Sequence, residues 1–537
     1  MKDNIMKCLK KIWLALTALF ALGAISAVIY YIICPSAQFF HSDCTDTLLW
    51  AQASHDAGAL FNPDFGYAAM LPFGGTMLMI PFIGIFGVTM TTHHIGMVLF
   101  TLLFFASAWL LCRSLKFSLP TSFSAVGVFA LILCSSAKLR EIYFEHVIYY
   151  SIAVAIIFVL LSLLVRFREQ LGGNASTVRL AVTVFATVIF CALSALDGMQ
   201  VIATGIFPVL FAAVAEIFLE KDRKLFDKEN RKTIYFCIIC GVSTVIGMWL
   251  LAVLSNGVSA GYAGAYSQYA NMNEWLTNLG KFPEQWFALF GVELAYGMGI
   301  FSIESIVNII RIAAGAIVAI VPVIALVFFK KFDYPSKILI LSHYGVSAVI
   351  MFGYIFGILS AANWRLSPMI CSGIMVCFAA FRAAKPNAVA VRFSVLAACV
   401  LVLMSAVSVK TIAGMEKNGI ELNKNYQLAK VLEENGLEYG YATFWNSQAI
   451  TVLSDSRVKV ANTDINENGI APAFYQSNRE WFTEKEGVEN YFVLVSDYEL
   501  SILRQTDDWA LFDAYIKDVL EIEGYKIFIF DSLIFFA

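Results

Sequence analysis

The sequence predicts a mainly α, polytopic membrane helix bundle that ends in a small extracytoplasmic α/β domain. Three observations carry that expectation. Of its 537 residues, 59% are hydrophobic and 14% charged, and the mean hydropathy is +0.73. A soluble globular domain has an apolar share near half and a charged share near a quarter. Apolar runs of spanning length recur as far as Val409, and from Thr411 onward helical and strand-like periods alternate in a polar background. The net charge of −3 excludes a nucleic-acid partner, which demands a basic surface.

The first run, Ile12 to Ile33, follows the basic residues Lys7, Lys10 and Lys11. It exceeds the roughly 7 to 15 apolar residues of a cleaved signal and reads as an uncleaved signal anchor. Further runs are Ile95 to Cys112, Leu119 to Cys134, Val147 to Val165, Leu180 to Leu196, Val201 to Leu219, Ile234 to Leu254, Ile312 to Phe329, Ile338 to Leu359, Met369 to Ala384 and Phe393 to Val409. Together they predict about eleven transmembrane helices, with juxtamembrane helices besides. Leu71 to Thr89 is also apolar, but Pro72, Gly74, Gly75, Pro81, Gly84 and Gly87 interrupt it.

Basic residues decide how that segment is read. If it does not span, Lys2 to Lys11, Arg113, Lys116, Arg166 to Arg179, Lys221 to Lys232, Lys330 to Lys337 and Arg382 to Arg392 share the cytoplasmic side. The short outer loops then keep only Lys138, Arg140, Lys281, Arg311 and Arg365. The positive-inside bias selects this topology, so Leu71 to Thr89 is expected to lie along the outer interface. It puts the N-terminus in the cytoplasm and the C-terminal domain outside, in a multi-pass protein of the plasma membrane. The domains expected are a membrane domain, 1–410, with a first outer loop at 35–94 and a long one at 255–311, and the α/β domain, 411–537. Within the latter, Asn425 to Glu434 reads as helix, and Tyr439 to Phe444, Tyr491 to Val495 and Tyr525 to Phe530 as strands.

The long outer loop is rich in Gly and aromatics. Tyr262, Tyr266, Tyr269, Trp275 and Trp286 fit either an interfacial aromatic belt or a mobile lid that stacks on sugar rings. Most of the eleven cysteines fall inside apolar runs as packing residues. Cys34 and Cys44 flank the first outer loop and are the one pair placed for a disulfide.

Polar chemistry concentrates in Phe39 to Gly75, which holds Asp43, Asp46, His55, Asp56 and Asp64 and no Lys or Arg. A carboxylate beside a low-dielectric wall is raised in pKa and suits general-base work on a hydroxyl. Asp43 and Asp46 are the candidates, although Ser42 or Asp43 also reads as the N-cap of a helix from Thr45 to Ala57. In the next outer loop Glu141 and Glu145 share a helix face, with His146 adjacent. With His55 or an Asp of the first loop, they read as acceptor contacts or as hard ligands of a divalent cation, Mg or Mn. The competing reading is a solvated helix end in which Arg140 pairs with a carboxylate. Arg365, in Asn363-Trp364-Arg365-Leu366-Ser367-Pro368, either snorkels or holds a lipid phosphate, with Arg140 and Lys138 as further cations.

These features resemble the GT-C superfamily of integral-membrane glycosyltransferases, of the protein O-mannosyltransferase and aminoarabinose transferase type. The acidic motif of that family's first outer loop is matched by Asp46, Trp50 and Ala53, the stretches Pro63 to Tyr67 and Leu71 to Gly75 are similar to its juxtamembrane segments, and Arg365 with Pro368 resembles its late-loop arginine. The usual Asp-Glu pair is Asp46-Thr47 here. The resemblance implies transfer of a sugar from a polyprenyl-phosphate donor to an acceptor outside the membrane, with inversion and an Asp base. The acceptor is a glycolipid, a wall polymer or a protein, and membrane lipids surround the bundle. Two rivals come from other classes. A lipid-linked-sugar transporter or flippase predicts charges buried mid-span and paired halves, and neither is visible in the sequence. A non-catalytic receptor or assembly protein would use the C-terminal module to bind a partner.

Overall fold

The computed structural model describes residues 2–173, 176–220, 226–258, 268–358, 362–384, 387–507 and 509–533. Ten of its helices are long and apolar enough to cross a membrane, or eleven if a bent pair counts as one span. The chain is therefore a multi-pass membrane protein. Pro72–Phe86 is a shorter apolar helix, below the length of about 20 residues that spanning requires. Contacts divide the chain into two compact units. The first comprises residues 1–31, 100–251 and 266–415, the second 32–99, 252–265 and 416–537.

Among the described residues, the regular structure of the first unit is helical apart from an isolated bridge, Tyr269 with Gly357. Tyr149–Gly172 lies at its centre, with 83% of its apolar window buried, whereas Lys228–Leu254 and Ala388–Ala413 bury 22% of theirs. The outward apolar side chains of such helices, for example Trp249 and Leu396, suit lipid contact, because the helix satisfies its own backbone and leaves only side chains to the hydrocarbon. Leu119–Ile132 and Ala137–Glu145 meet at a bend of 114°. In the stretch expected to be the long outer loop, Trp275–Leu289 is a helix. Tyr262 and Tyr266 lie outside the described residues. Trp286 is only 3% exposed and donates from Nε1 to the Gly315 carbonyl at 3.0 Å, so it is a packing residue and serves neither as belt nor as lid.

The second unit joins the segment after the first span to the C-terminal residues. Its six strands are β1 (Tyr439–Ala442), β2 (Lys459–Asn466), β3 (Gly469–Pro472), β4 (Tyr491–Ser496), β5 (Asp518–Ile522) and β6 (Tyr525–Phe530), in the order β3-β2-β1-β4-β6-β5. β1 pairs parallel with β2 and β4, and the remaining pairs are antiparallel. Alternate side chains of β4 and β6 enter different cores, Phe492, Leu494, Ile527 and Ile529 on one face and Tyr491, Val493, Phe528 and Phe530 on the other, as the period of two dictates. The expected strands are β1, β4 and β6.

The first loop is built into this unit by its backbone. Asn423 Nδ2 donates to the carbonyls of Ala37 and Phe40, each at 2.8 Å. Gly66 N–H donates to Ser477 O at 3.0 Å and Gly66 O accepts from Gln476 N–H at 2.7 Å. Only glycine fits at 66, because a Cβ there would stand 1.8 Å from the Phe474 carbonyl oxygen. Cys34 and Cys44 are not joined in a disulfide.

Candidate functional site

The helix carrying Asp43 and Asp46 runs from Ser42 to Ala57. It starts three residues before the expected Thr45, and its N-cap is His41, in extended conformation and with no side-chain cap bond. Neither Ser42 nor Asp43 is therefore the cap. Ser42 Oγ instead donates to the Phe444 carbonyl, and Asp43 stands in the first turn, where the helix dipole favours a carboxylate. Their spacing of three puts Asp43 and Asp46 on one face.

Asp46 is half-buried, and its Oδ1 is sealed from solvent without a hydrogen-bond partner. Burial pushes its carboxyl well above the ordinary carboxylate range, the charge of Asp43 adds to the rise, and Gln476 offsets part of it. Gln476 is fully buried, has a left-handed backbone (φ 53°), and accepts from Trp50 Nε1 at 2.7 Å. A left-handed glutamine is uncommon and costs on the order of 1 kcal/mol. Only the folded chain reveals Gln476 as the carboxamide beside Asp46, since 430 positions separate the two residues and no motif marks it. His55 lies in the last turn of the same helix, partly exposed and 3.3 Å from Asp56 Oδ1. Nine residues of helix separate it from Asp46 by about 13 Å, so the helix does not bring the two together.

The remaining candidates belong to the first unit. Ser136 caps the turn Ala137–Arg140 by accepting from Leu139 N–H at 3.2 Å, and a π-turn, Glu141–Glu145, follows. The result gathers Lys138, Arg140, Glu141, Glu145 and His146. Lys138 Nζ donates to Glu141 Oε2 at 2.5 Å and lies 5.1 Å from the centre of the Trp364 ring. His146 Nε2 is 3.8 Å from Glu141 Oε1. Glu145 accepts from the Tyr31 hydroxyl, whose ring has the Arg140 guanidinium 5.4 Å from its centre. Arg140, 5% exposed, donates from Nη1 to Cys134 O at 3.0 Å.

Arg365 stands on the short turn Asn363–Leu366, beside the Trp364 that meets Lys138. The buried Nε atoms of Arg140, Arg365 and Arg311 all lack a hydrogen-bond partner. Of these, Arg140 and Arg311 are near enough to act on each other electrostatically. The expected long loop 255–311 ends earlier, because Arg311 lies within the helix Ile303–Val327. Gly291 makes the room beside it: at φ 78°, a Cβ would come 2.5 Å from Ser135 O and 3.3 Å from Arg311 Nε.

Glu141, Glu145 and His146, read as possible ligands of a divalent cation, have partners within the protein. Glu141 is engaged by an ammonium and Glu145 by a phenol, and among the described residues no group of three or more His, Cys, Asp or Glu side chains is arranged to hold a metal.

No protein-family model matches the chain, and no curated protein matches it. Solved structures do. The Archaeoglobus fulgidus oligosaccharyltransferase, in complex with Zn and sulfate, is similar at 12% identity and a TM-score of 0.51, over 95% of this chain and 72% of that one. The same organism's oligosaccharyltransferase AglB, with an inhibitory peptide and a dolichol-phosphate, gives 10% identity and a TM-score of 0.47 over 97% and 74%. ArnT from Cupriavidus metallidurans, bound to undecaprenyl phosphate, gives 12% and 0.43 over 96% and 98%. At such identities likeness speaks for the fold alone, and the fold of this chain is of the GT-C type.

Proposed function

We propose that the protein is a membrane glycosyltransferase that moves a sugar from a polyprenyl-phosphate donor to an acceptor on the extracytoplasmic face, with inversion. The observation that carries this reading is the Asp46 carboxyl, half-buried and raised in pKa with an unpartnered oxygen, on the first helix after the first span of a GT-C-type chain. An acceptor hydroxyl or amine gives its proton to Asp46 as its O or N bonds to the anomeric carbon. The bond from that carbon to the phosphate oxygen breaks, and polyprenyl phosphate leaves with the electron pair. A single displacement inverts the anomeric centre.

A base whose pKa is raised toward working pH is matched to this task, and Asp43, one turn away, assists by holding it up. Arg365, Arg140 and Lys138, with Arg311, which interacts electrostatically with Arg140, neutralise the departing phosphate. Fixed cations of this kind typically contribute several kcal/mol to lowering a barrier. No step is routed through a metal. The bias of Lys and Arg supports a cytoplasmic N-terminus, an outer C-terminal domain and a plasma-membrane location.

The decisive experiment supplies membranes holding Asp46→Asn, Asp43→Asn and the double variant with a lipid-linked sugar and follows donor consumption. Loss of transfer in Asp46→Asn is expected, and full transfer by the double variant overturns the reading. For the topology, a Glu480→Cys variant should react with an impermeant maleimide from outside and a Lys330→Cys variant should not; the reverse pattern rejects the assigned sidedness.

A further inference from the structure

The chain between the helix Trp275–Leu289 and the span Ile303–Val327 carries an apolar surface that the chemistry above does not use. Residues 294–303 read Leu-Ala-Tyr-Gly-Met-Gly-Ile-Phe-Ser-Ile, with no charged side chain, between the carboxylates Glu293 and Glu304. Large apolar residues so concentrated ordinarily enter a core. Here they point out of the fold: Leu294 is 74% exposed, Ile300 80% and Phe301 96%, and Tyr296 is wholly exposed.

The backbone of this arm is nonetheless held in place. Asn308, buried near the start of the span, accepts from Glu293 N–H at 3.2 Å and donates from Nδ2 to Glu293 O at 2.6 Å. Met298 N–H donates to Ala295 O at 3.2 Å, across a tight turn whose third residue, Gly297, has φ 84°. Ser302 N–H and Ser305 Oγ both donate to Gly299 O, at 3.0 Å and 2.7 Å. The arm thus spends these polar groups on itself and turns its apolar ones outward, the division that contact with lipid demands.

Two observations name what covers it. Ile303, Ile306 and Ile309, all exposed, continue the apolar surface of the arm onto the face of the span that bears Ile320, Val323 and Val327, since steps of three and four keep residues on one helix face. That face already belongs to hydrocarbon. The span has 25 residues and is therefore about 37 Å long, more than the roughly 30 Å of the hydrocarbon layer and less than the roughly 40–45 Å that includes the headgroups. Its Ile303 end, with the arm upon it, stands at the interface.

We propose that residues 294–303 form an interfacial arm seated in the membrane leaflet at the Ile303 end of this span, with Leu294, Ile300 and Phe301 among acyl chains and the Tyr296 hydroxyl at headgroup level. The partner is the lipid surface itself. The inference does not rest on the transferase reading.

The test places p-benzoylphenylalanine at position 296, 301, 320 or 480 of the full-length protein in phosphatidylcholine nanodiscs, irradiates each, and weighs the intact protein. Positions 296 and 301 are expected to gain the mass of a lipid, as position 320 on the outer face of the span should. Their adduct should exceed that at position 480, in the polar C-terminal domain, about tenfold, the preference that burying one large apolar side chain supplies. Ile300→Ser with Phe301→Ser, both on exposed side chains, should leave the melting temperature in detergent unchanged and lower the adduct at position 296. No lipid adduct at 296 and 301 while 320 gives one, a cross-linked dimer in its place, or an adduct at 296 that the double Ser variant leaves unchanged overturns the proposal.

Discussion

Trp50 Nε1 donates to Gln476 Oε1 at 2.7 Å, across 426 positions of chain. The bond fixes the Gln476 side chain beside the helix of Asp46, and the unusual backbone of Gln476 (φ 53°) is held by the pairing of Gly66 with Gln476 and Ser477. Residues from the two ends of the chain thus set the environment of one carboxyl.

Gln476 is accordingly expected to act as a positioning residue. It lowers the Asp46 pKa against the rise from burial, so Gln476→Ala should move the acid limb of the transfer profile to higher pH and reduce the rate at neutral pH, while the rate at high pH recovers. A variant that loses rate equally at every pH has a merely structural defect. Asp43→Asn removes a charge that raises Asp46 and should shift the same limb to lower pH.

Asp46→Asn should cost about 100-fold or more in transfer, the usual contribution of a general base. Its effect on stability has a definite sign. In the folded protein the raised pKa keeps a proton that the unfolded chain releases, so unfolding becomes easier as pH rises from the ordinary carboxylate value through the folded one. Thermal unfolding followed against pH should show that decline in the native protein and a flatter profile in Asp46→Asn.

Arg365→Gln and Arg311→Gln should each raise the donor KM by about tenfold, because each removes a charge-assisted contact to phosphate worth about 1.5–3 kcal/mol. Arg365→Lys should recover only part, since an ammonium does not reproduce the planar fork. Steady-state kinetics with varied donor read this directly, and an unchanged KM in both Gln variants would remove these arginines from the donor site.

Gly66→Ala should destabilise the second unit by about 2–3 kcal/mol, the range for forcing extra volume into a packed site, because the new methyl would overlap the Phe474 carbonyl. A fall in melting temperature together with loss of transfer is expected; a stable and active Gly66→Ala protein would show that this close approach is dispensable.

How far the sequence reached follows from the range of each interaction. Spanning helices are written locally, as runs of about 20 apolar residues, and strands β1, β4 and β6 as short runs of Tyr, Phe, Val and Ile. Asp46 and Arg365 stand out in the sequence because each lies in a short motif near the end of an apolar run. Arg140, Lys138 and Glu145 stand in one loop of the sequence, although their partners Cys134, Trp364 and Tyr31 do not.

The sequence by itself determined that the chain lies in a membrane and roughly where it crosses, because hydropathy acts over a single run. Only the tertiary structure decided that the segment after the first span and the C-terminal strands make one unit, that Gln476 is the group beside Asp46, and that Arg311 keeps an unused donor. Those facts depend on hydrogen bonds and close approaches between residues far apart in the chain, and no local periodicity encodes them.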